Sequence, residues 1–161
     1  MPHLSGGYLA AVAGAPGHEA FAAEIAASAA ILEDFLAADV VVIGAPMYNF
    51  AIPTQLRSWL DRILVREKTF RYTETGPQGL AAGKRVIVAI ARGNLYGPGK
   101  PAQPMDFQEP YLRAVFGFIG ITDVEFVRAE GVNIGPEQRK AALEGAREAA
   151  LVLRANVAAA A

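Results

Sequence analysis

The fold class is decided by residues 39–46, which read DVVVIGAP. A run of β-branched residues loses side-chain freedom in a helix and suits an extended strand. No polar residue alternates with the apolar ones. The run therefore predicts a strand at Val40–Ala45 that is buried on both faces, as in a parallel sheet.

A second β-branched run and a third predicted strand lie further along the chain, and helical patterns separate the three. The other predicted strands are Arg85–Ile90 and Val124–Arg128. Apolar residues at three- and four-residue spacing predict helices at residues 18–38, 53–65, 108–119 and 135–153. This alternation predicts a single α/β domain over residues 1–161. Its three strands are expected to be adjacent in a doubly wound parallel sheet between two helix layers.

Three segments have no clear hydrophobic period and are predicted to be loops: Met1–Gly17, Lys68–Gly83 and Ala91–Pro104. Glycine and proline residues in each of them mark turns.

The composition excludes several classes of protein. Hydrophobic residues make up 53% of the 161 residues and charged residues 19%, a balance too apolar for a disordered chain. A net charge of −1 provides no basic surface for nucleic acid, and no apolar run is long enough to span a membrane. The chain has no cysteine, which excludes disulfides and thiolate chemistry. In the absence of a signal-peptide pattern, a cytoplasmic location is predicted.

Two loops are the candidate site, because ligands of open α/β sheets bind outside the carboxyl ends of the strands. The first loop, Met47–Phe50, places two aromatic rings and an amide after the first strand. The second, Ala91–Asn94, combines a glycine with arginine and asparagine after the next strand. Together they suit a flat heterocycle with hydrogen-bonding edges. The alternative, that the aromatic rings only close the end of the sheet, is equally compatible with the spacing.

Other candidate chemistries have weaker support. His3 and His18 are the two histidines and have no partners at ligand spacing, so no metal site is predicted. No Gly-x-Ser-x-Gly turn supports a serine nucleophile. Trp59 lies beside the apolar stripe of its helix and is expected in the core or at a subunit interface.

Several motifs, in the same order, resemble the bacterial FMN-dependent NADH:azoreductases. The resemblance extends from about Leu32 to Pro136. The motifs that carry it are Ala45–Phe50, Ile52–Leu56, Thr69–Glu74, Gly76–Leu80, Ala91–Asn94, Phe118–Ile121 and Ala129–Gly131.

The resemblance implies a flavodoxin-like fold and a homodimer that binds one FMN per subunit. It implies electron transfer from NADH through FMN to quinones and azo compounds, with the protein orienting the flavin. It also implies that Asn49 and Tyr72 are catalytic, with Tyr72 reaching toward the active site of the dimer. The residues expected to hold the flavin ring are Met47, Tyr48, Asn49, Phe50, Ala91, Arg92, Gly93 and Asn94. The expected dimer contacts are the helix that carries Trp59 and the Phe70–Tyr72 segment.

The sequence departs from the family pattern in two ways. Ala91 and Asn94 stand where the family has serine and glycine. The strand, phosphate-binding loop, helix and second strand that begin the family's fold do not precede Met1, so an N-terminally truncated domain is expected. Such a domain would expose Val40–Ile43 as an edge strand. It would bind FMN weakly, and about as well as riboflavin.

Two other functions remain open at this point. One is a flavodoxin-like electron carrier, against which the near-zero net charge argues. The other is a catalytically impaired fragment that only dimerises.

Overall fold

The computed structural model describes residues 2–160. Met1 and Ala161, the two ends of the predicted domain, lie outside the described residues. The strands are β1 (Val40–Gly44), β2 (Phe70–Thr73), β3 (Gly76–Gly79), β4 (Arg85–Arg92) and β5 (Asp123–Glu130). The helices are α1 (Gly6–Val12), α2 (Ala22–Ala37), α3 (Thr54–Ile63), α4 (Glu109–Phe118) and α5 (Pro136–Ala160). Short 3₁₀ turns lie at His18–Phe21 and Gln103–Met105.

A parallel sheet in the order β1-β4-β5 forms the centre of the fold. Val41 aligns with Val86 across the first pair of strands, and Val86 aligns with Val124 across the second. The predicted adjacency and parallel direction of the three strands are confirmed. Because each pair is joined by a long crossover that contains a helix, all three carboxyl ends lie at one edge.

The main core lies between the sheet and the helices α2, α3 and α4. Val86 and Val88 of β4 are fully buried there, against Leu60 of α3 and Phe116 of α4. Each such side chain stabilises the fold by about 1.5–3 kcal/mol through burial. Trp59 is half-buried at the border of this core and packs edge-on against Phe35 of α2, with 5.8 Å between the ring centroids. Its predicted contact at a subunit interface stays a prediction.

The opposite face of the sheet is covered unevenly. α5 packs on β5, where Val127 and Ala129 are buried. The corresponding face of β1 is open within the described residues, and Val42 has 72% of its surface exposed. The prediction that this strand is buried on both faces is therefore wrong. An unbroken apolar run shows that a strand is suited to burial, but not which elements cover it.

The predicted N-terminal loop contains a helix. Ser5 caps α1 by accepting a hydrogen bond from the amide of Tyr8 at 3.0 Å. The ring of Tyr8 stacks on Arg62, whose buried guanidinium pairs with Glu24 of α2 at 2.5 Å. Seven residues with two buried positions give too short a period to be recognised in sequence.

The predicted loop at Lys68–Gly83 is also wrong, because β2 and β3 form an antiparallel hairpin. Gly76, Pro77 and Gly79, which are predicted to mark turns, lie inside β3 rather than in the turn of the hairpin. The Cβ of any residue replacing Gly79 would lie 2.2 Å from the backbone of Ile119 and Gly120, at the end of α4. Glycine is required here for close contact between two backbones, and this contact docks the hairpin on the domain.

Candidate active site

The chain reverses direction just after β1 in a tight turn. The amide of Tyr48 donates to the carbonyl of Ala51 at 3.1 Å, and the amide of Ala51 donates back at 3.0 Å. Asn49 and Phe50, between them, have φ angles of 47° and 72°. Two consecutive positive φ angles define a type I′ turn.

Phe50 is under backbone strain in this turn. Asparagine tolerates the left-handed conformation, but a bulky aromatic residue rarely adopts it. The cost is about 1–2 kcal/mol. Two contacts compensate: the amide of Phe107 donates to the Phe50 carbonyl at 3.1 Å, and the Phe50 ring meets Tyr96 edge-on at 6.5 Å. Strain of this kind is retained where a conformation serves function.

The turn presents its side chains at the carboxyl edge of the sheet. Tyr48 is 63% exposed and Phe50 36% exposed. Asn49 is also exposed, whereas Met47 is half-buried. The amide of Met47 donates to the carbonyl of Ala91 at 2.9 Å, which joins this loop to the end of β4.

The β4 loop is held from the side of β5. The carbonyls of Arg92 and Gly93 accept hydrogen bonds from the amides of Val132 and Asn133, each at 3.1 Å. In a trans peptide the N–H points opposite to the C=O. The amides of Gly93 and Asn94 therefore both point away from β5, toward the side of β1 and its aromatic turn. Two consecutive donors that face one crevice are suited to an acceptor edge of a ligand.

Ala91 and Arg92 were predicted to lie in a loop, but they are the last residues of β4. Ala91 is exposed. The side chain of Arg92 is 1% exposed, and its Nη1 lies 3.0 Å from carboxylate oxygens of both Asp106 and Glu130. That side chain is therefore committed to a buried ionic cluster, and the carbonyl of Arg92 is bonded to Val132 on the β5 side.

Two residues that support the ends of β1 and β4, Gln108 and Asp106, are not predicted from the sequence. The side-chain amide of Gln108, which is fully buried, donates to the carbonyl of Ala45 at 2.8 Å. The oxygen of the same side chain accepts from Nε of Arg92 at 3.3 Å. Asp106 caps α4 by accepting from the amides of Gln108 and Glu109 at 3.0 and 3.1 Å. An aspartate three residues before a glutamate and a helical stripe is a recognisable capping pattern.

A second ionic layer surrounds the cluster. Burial opposes ionisation of Glu109, but hydrogen bonds from Arg128 and Arg113 outweigh it, and the pKa of this carboxyl is lowered. The hydrogen bond to Glu109 raises the pKa of Arg128 in turn. A cleft of about 570 Å³ lies over these groups and is lined by Tyr96 and by charged side chains of both signs.

Tyr72 lies apart from the two loops within this chain. It is 61% exposed on β2, where its ring lies 5.6 Å from that of Phe70. The hairpin docks at the carboxyl end of α4 through Gly79, whereas Gln108 contacts the β1 loop at the amino end of α4. A ten-residue helix separates the two places by roughly 15 Å.

The histidines are accounted for by local contacts. His3 shares a hydrogen bond with buried Ser58 at 3.0 Å, and His18 lies 3.9 Å from Glu19 at the surface. Between residues 2 and 160, no group of three His, Cys, Asp or Glu side chains is placed to hold a metal ion. Over the same residues, no helix combines the length and the apolar character needed to cross a bilayer.

The arrangement of strands and loops matches a known family over most of the chain. A family described as having a flavodoxin-like fold matches residues 1–153. The chain belongs to this flavodoxin-like family. Its predicted fold class is thereby confirmed.

Relatives within the family are close in sequence. An FMN-dependent NADH:quinone oxidoreductase 2 of Bradyrhizobium diazoefficiens is 59% identical over 155 residues, which cover 96% of this chain and 77% of that protein. The FMN-dependent NADH:quinone oxidoreductase of Rhizobium meliloti is 56% identical, over 92% of this chain and 72% of that protein. The structure of an FMN-dependent NADH-azoreductase of Bacillus anthracis in complex with FMN is 31% identical. It superposes with a TM-score of 0.79 over 94% of this chain and 75% of that one.

Proposed function

We propose that this flavodoxin-like protein binds FMN and uses NADH to reduce quinones and azo compounds. The observation that carries the proposal is that the aromatic turn after β1 and the paired amides of Gly93 and Asn94 after β4 lie at neighbouring carboxyl ends of the sheet, on the two sides of the crevice in which we place the flavin. The relatives that are 52–59% identical are FMN-dependent NADH:quinone oxidoreductases, which supports the same chemistry.

The residues of the crevice fit an isoalloxazine ring. The two amides are donors suited to the ring's carbonyl and nitrogen edge, and the aromatic turn offers apolar contact to its faces. The Cβ of any residue replacing Gly93 would lie 3.0 Å from Nδ2 of Asn133, so glycine allows this loop to pack closely against the segment that follows β5. When bound, FMN supplies the redox chemistry by accepting a hydride from NADH and passing electrons to the acceptor.

The protein's own residues orient the reactants. In this proposal Met47, Tyr48, Asn49 and Phe50 contact the ring from the β1 side. Ala91, Gly93 and Asn94 contact it from the β4 side, and Arg92 supports them through its buried ion pairs. The side-chain amide of Asn49 is exposed in the turn, where it can donate to the ring or to the acceptor.

Tyr72 completes the site from a second subunit in this proposal. Its separation from the crevice within one chain and its exposed ring support a homodimer in which the β2–β3 hairpin crosses to the partner. We also propose that the protein acts in the cytoplasm. Sedimentation equilibrium at micromolar concentration tests the dimer, and a monomer would contradict it.

The redox proposal is tested by titrating the protein with FMN, adding NADH without oxygen, and then adding benzoquinone or an azo dye. Bleaching of the bound flavin by NADH and its return on addition of the acceptor are expected. Asn49→Ala should weaken FMN binding up to about tenfold, as expected for loss of one neutral hydrogen bond. Glu144→Ala, at an exposed position on α5, is the control. A flavin that stays oxidised in NADH would refute the proposal.

A further inference from the structure

Besides the backbone hydrogen bond between Met47 and Ala91, one buried side chain, that of Gln108, connects the segments that lead into the two loops. It is 0% exposed. Its Nε2 donates to the carbonyl of Ala45, where the β1 loop begins, at 2.8 Å. Its Oε1 accepts from Nε of Arg92, at the end of β4, at 3.3 Å.

The chemistry of these contacts allows one orientation of the amide. A carbonyl only accepts hydrogen bonds and a guanidinium only donates them. Reversing the amide would face acceptor with acceptor and donor with donor. The side chain therefore joins the two strand ends as a connector of fixed length and polarity.

The backbone beside Gln108 adds a third contact. The amide of Phe107 donates to the carbonyl of strained Phe50 at 3.1 Å, and Asp106 pairs with Arg92 at 3.0 Å. The segment 106–108 thus contacts both loops, although it belongs to neither and begins a helix of its own.

We infer that Gln108 is a positioning residue for the flavin: it sets the separation and tilt of the two ring-binding loops without touching the ring. This inference rests on the proposed function for its consequence, but its structural part is independent of the flavin. If the ring is held between two loops, an error of 1 Å in their spacing displaces the reacting atoms, and such displacement slows a reaction by up to about 100-fold.

The test compares Gln108→Met with Ser58→Ala. Methionine has similar length but neither donor nor acceptor, so both contacts are lost. Ser58 is equally buried and hydrogen-bonded to His3, but it contacts neither loop. It therefore reports what the loss of a buried polar contact does to stability alone.

The first readout is amide hydrogen exchange of the protein without flavin. Gln108→Met should speed exchange at Met47 and Ala51 in one loop and at Val132 and Asn133, which bind the other. Ser58→Ala should not change these amides relative to the rest of the chain. If exchange in Gln108→Met rises uniformly, or in one loop only, the inference is wrong.

The second readout is made with FMN bound. At saturating FMN and NADH, reduction of the flavin by Gln108→Met should be about 10- to 100-fold slower, with a shifted visible spectrum. Ser58→Ala should match the unmodified protein in both. If the unmodified protein binds no FMN, the proposed function fails, while the exchange experiment still decides the role of Gln108. Unchanged reduction and spectrum in Gln108→Met would overturn the positioning role.

Discussion

The left-handed conformation of Phe50 predicts an inverted order of stability for two substitutions at this position. In ordinary loops alanine is better than glycine by about 0.4–1 kcal/mol, because glycine gives the unfolded chain more freedom. At a φ of 72° alanine keeps the strain and glycine relieves it. With about 1–2 kcal/mol of strain, the balance leaves Phe50→Gly more stable than Phe50→Ala by roughly 0.5–1 kcal/mol.

Both variants should be less stable than the unmodified protein. Phe50 is 36% exposed, so roughly two-thirds of its surface is buried, and each variant loses that burial, which contributes about 1–2 kcal/mol. The edge contact with Tyr96 is lost equally in both. Because both variants lose the same ring, the difference between their free energies of unfolding reports only the conformational preference of the backbone at position 50.

Urea denaturation provides the assay, with the midpoints compared at a common slope. Tyr48 is the matched control, because it is an exposed aromatic residue of the same turn whose φ is not positive. Tyr48→Ala should be more stable than Tyr48→Gly. If alanine is also the more stable choice at position 50, Phe50 is not held in the left-handed region and the argument for functional strain fails.

Gly79→Ala should lower the free energy of unfolding by more than about 2 kcal/mol in urea denaturation, because the alanine Cβ would overlap the backbone at Gly120 and neither backbone segment can move away. A loss below about 0.5 kcal/mol, which is typical of a surface substitution, would contradict the docking of the hairpin. Glu109→Gln should lower stability by about 1–2 kcal/mol at neutral pH, since a charged hydrogen bond to Arg128 is weakened. Because the folded pKa of Glu109 is lowered, its contribution is present above the ordinary value of 4.5 and is lost as pH falls through the folded value. The two unfolding curves should therefore converge in acid, and a constant difference would exclude ionisation as the cause. Arg62→Met should destabilise by about 1.5–3 kcal/mol, because the half-buried carboxylate of Glu24 loses a charged hydrogen bond. An unchanged midpoint of thermal unfolding would contradict this.

Much of the fold follows from hydrophobic patterning. The β-branched runs around Val41 and Val86 locate two strands, and the Val124–Arg128 segment is the third. Long crossovers between them leave a parallel sheet as the consistent arrangement. Patterning fails where an element is short or is defined by backbone contact. The hairpin containing Gly79 is an example, because its stability depends on an approach of two backbones that no periodicity records.

The sequence predicts that Tyr48 and Asn49 follow a strand, and the structure places both exposed at the carboxyl edge of the sheet. That they bind a ligand stays a prediction, and the contacts around them could not be predicted. The sequence gives no sign that Phe50 has a positive φ, since glycine is the residue expected at that place in a type I′ turn. The burial of Arg92 was also beyond prediction, because it depends on carboxylates that lie 14 and 38 positions away.

The side chain of Arg92 shows why a motif in a loop is an incomplete guide to chemistry. Its resemblance to a flavin-binding motif suggests a cation directed at the ligand, yet the guanidinium points into the protein and pairs with Asp106 and Glu130. An ion pair of this kind seldom gains net stability over an apolar contact of the same volume. The ion pair instead restrains the orientation of the strand end, because a planar guanidinium with several partners holds the end of β4 in one position. The peptides of Gly93 and Asn94 continue from that strand end, and their orientation is set by the carbonyls of Arg92 and Gly93, which accept hydrogen bonds from the amides of Val132 and Asn133.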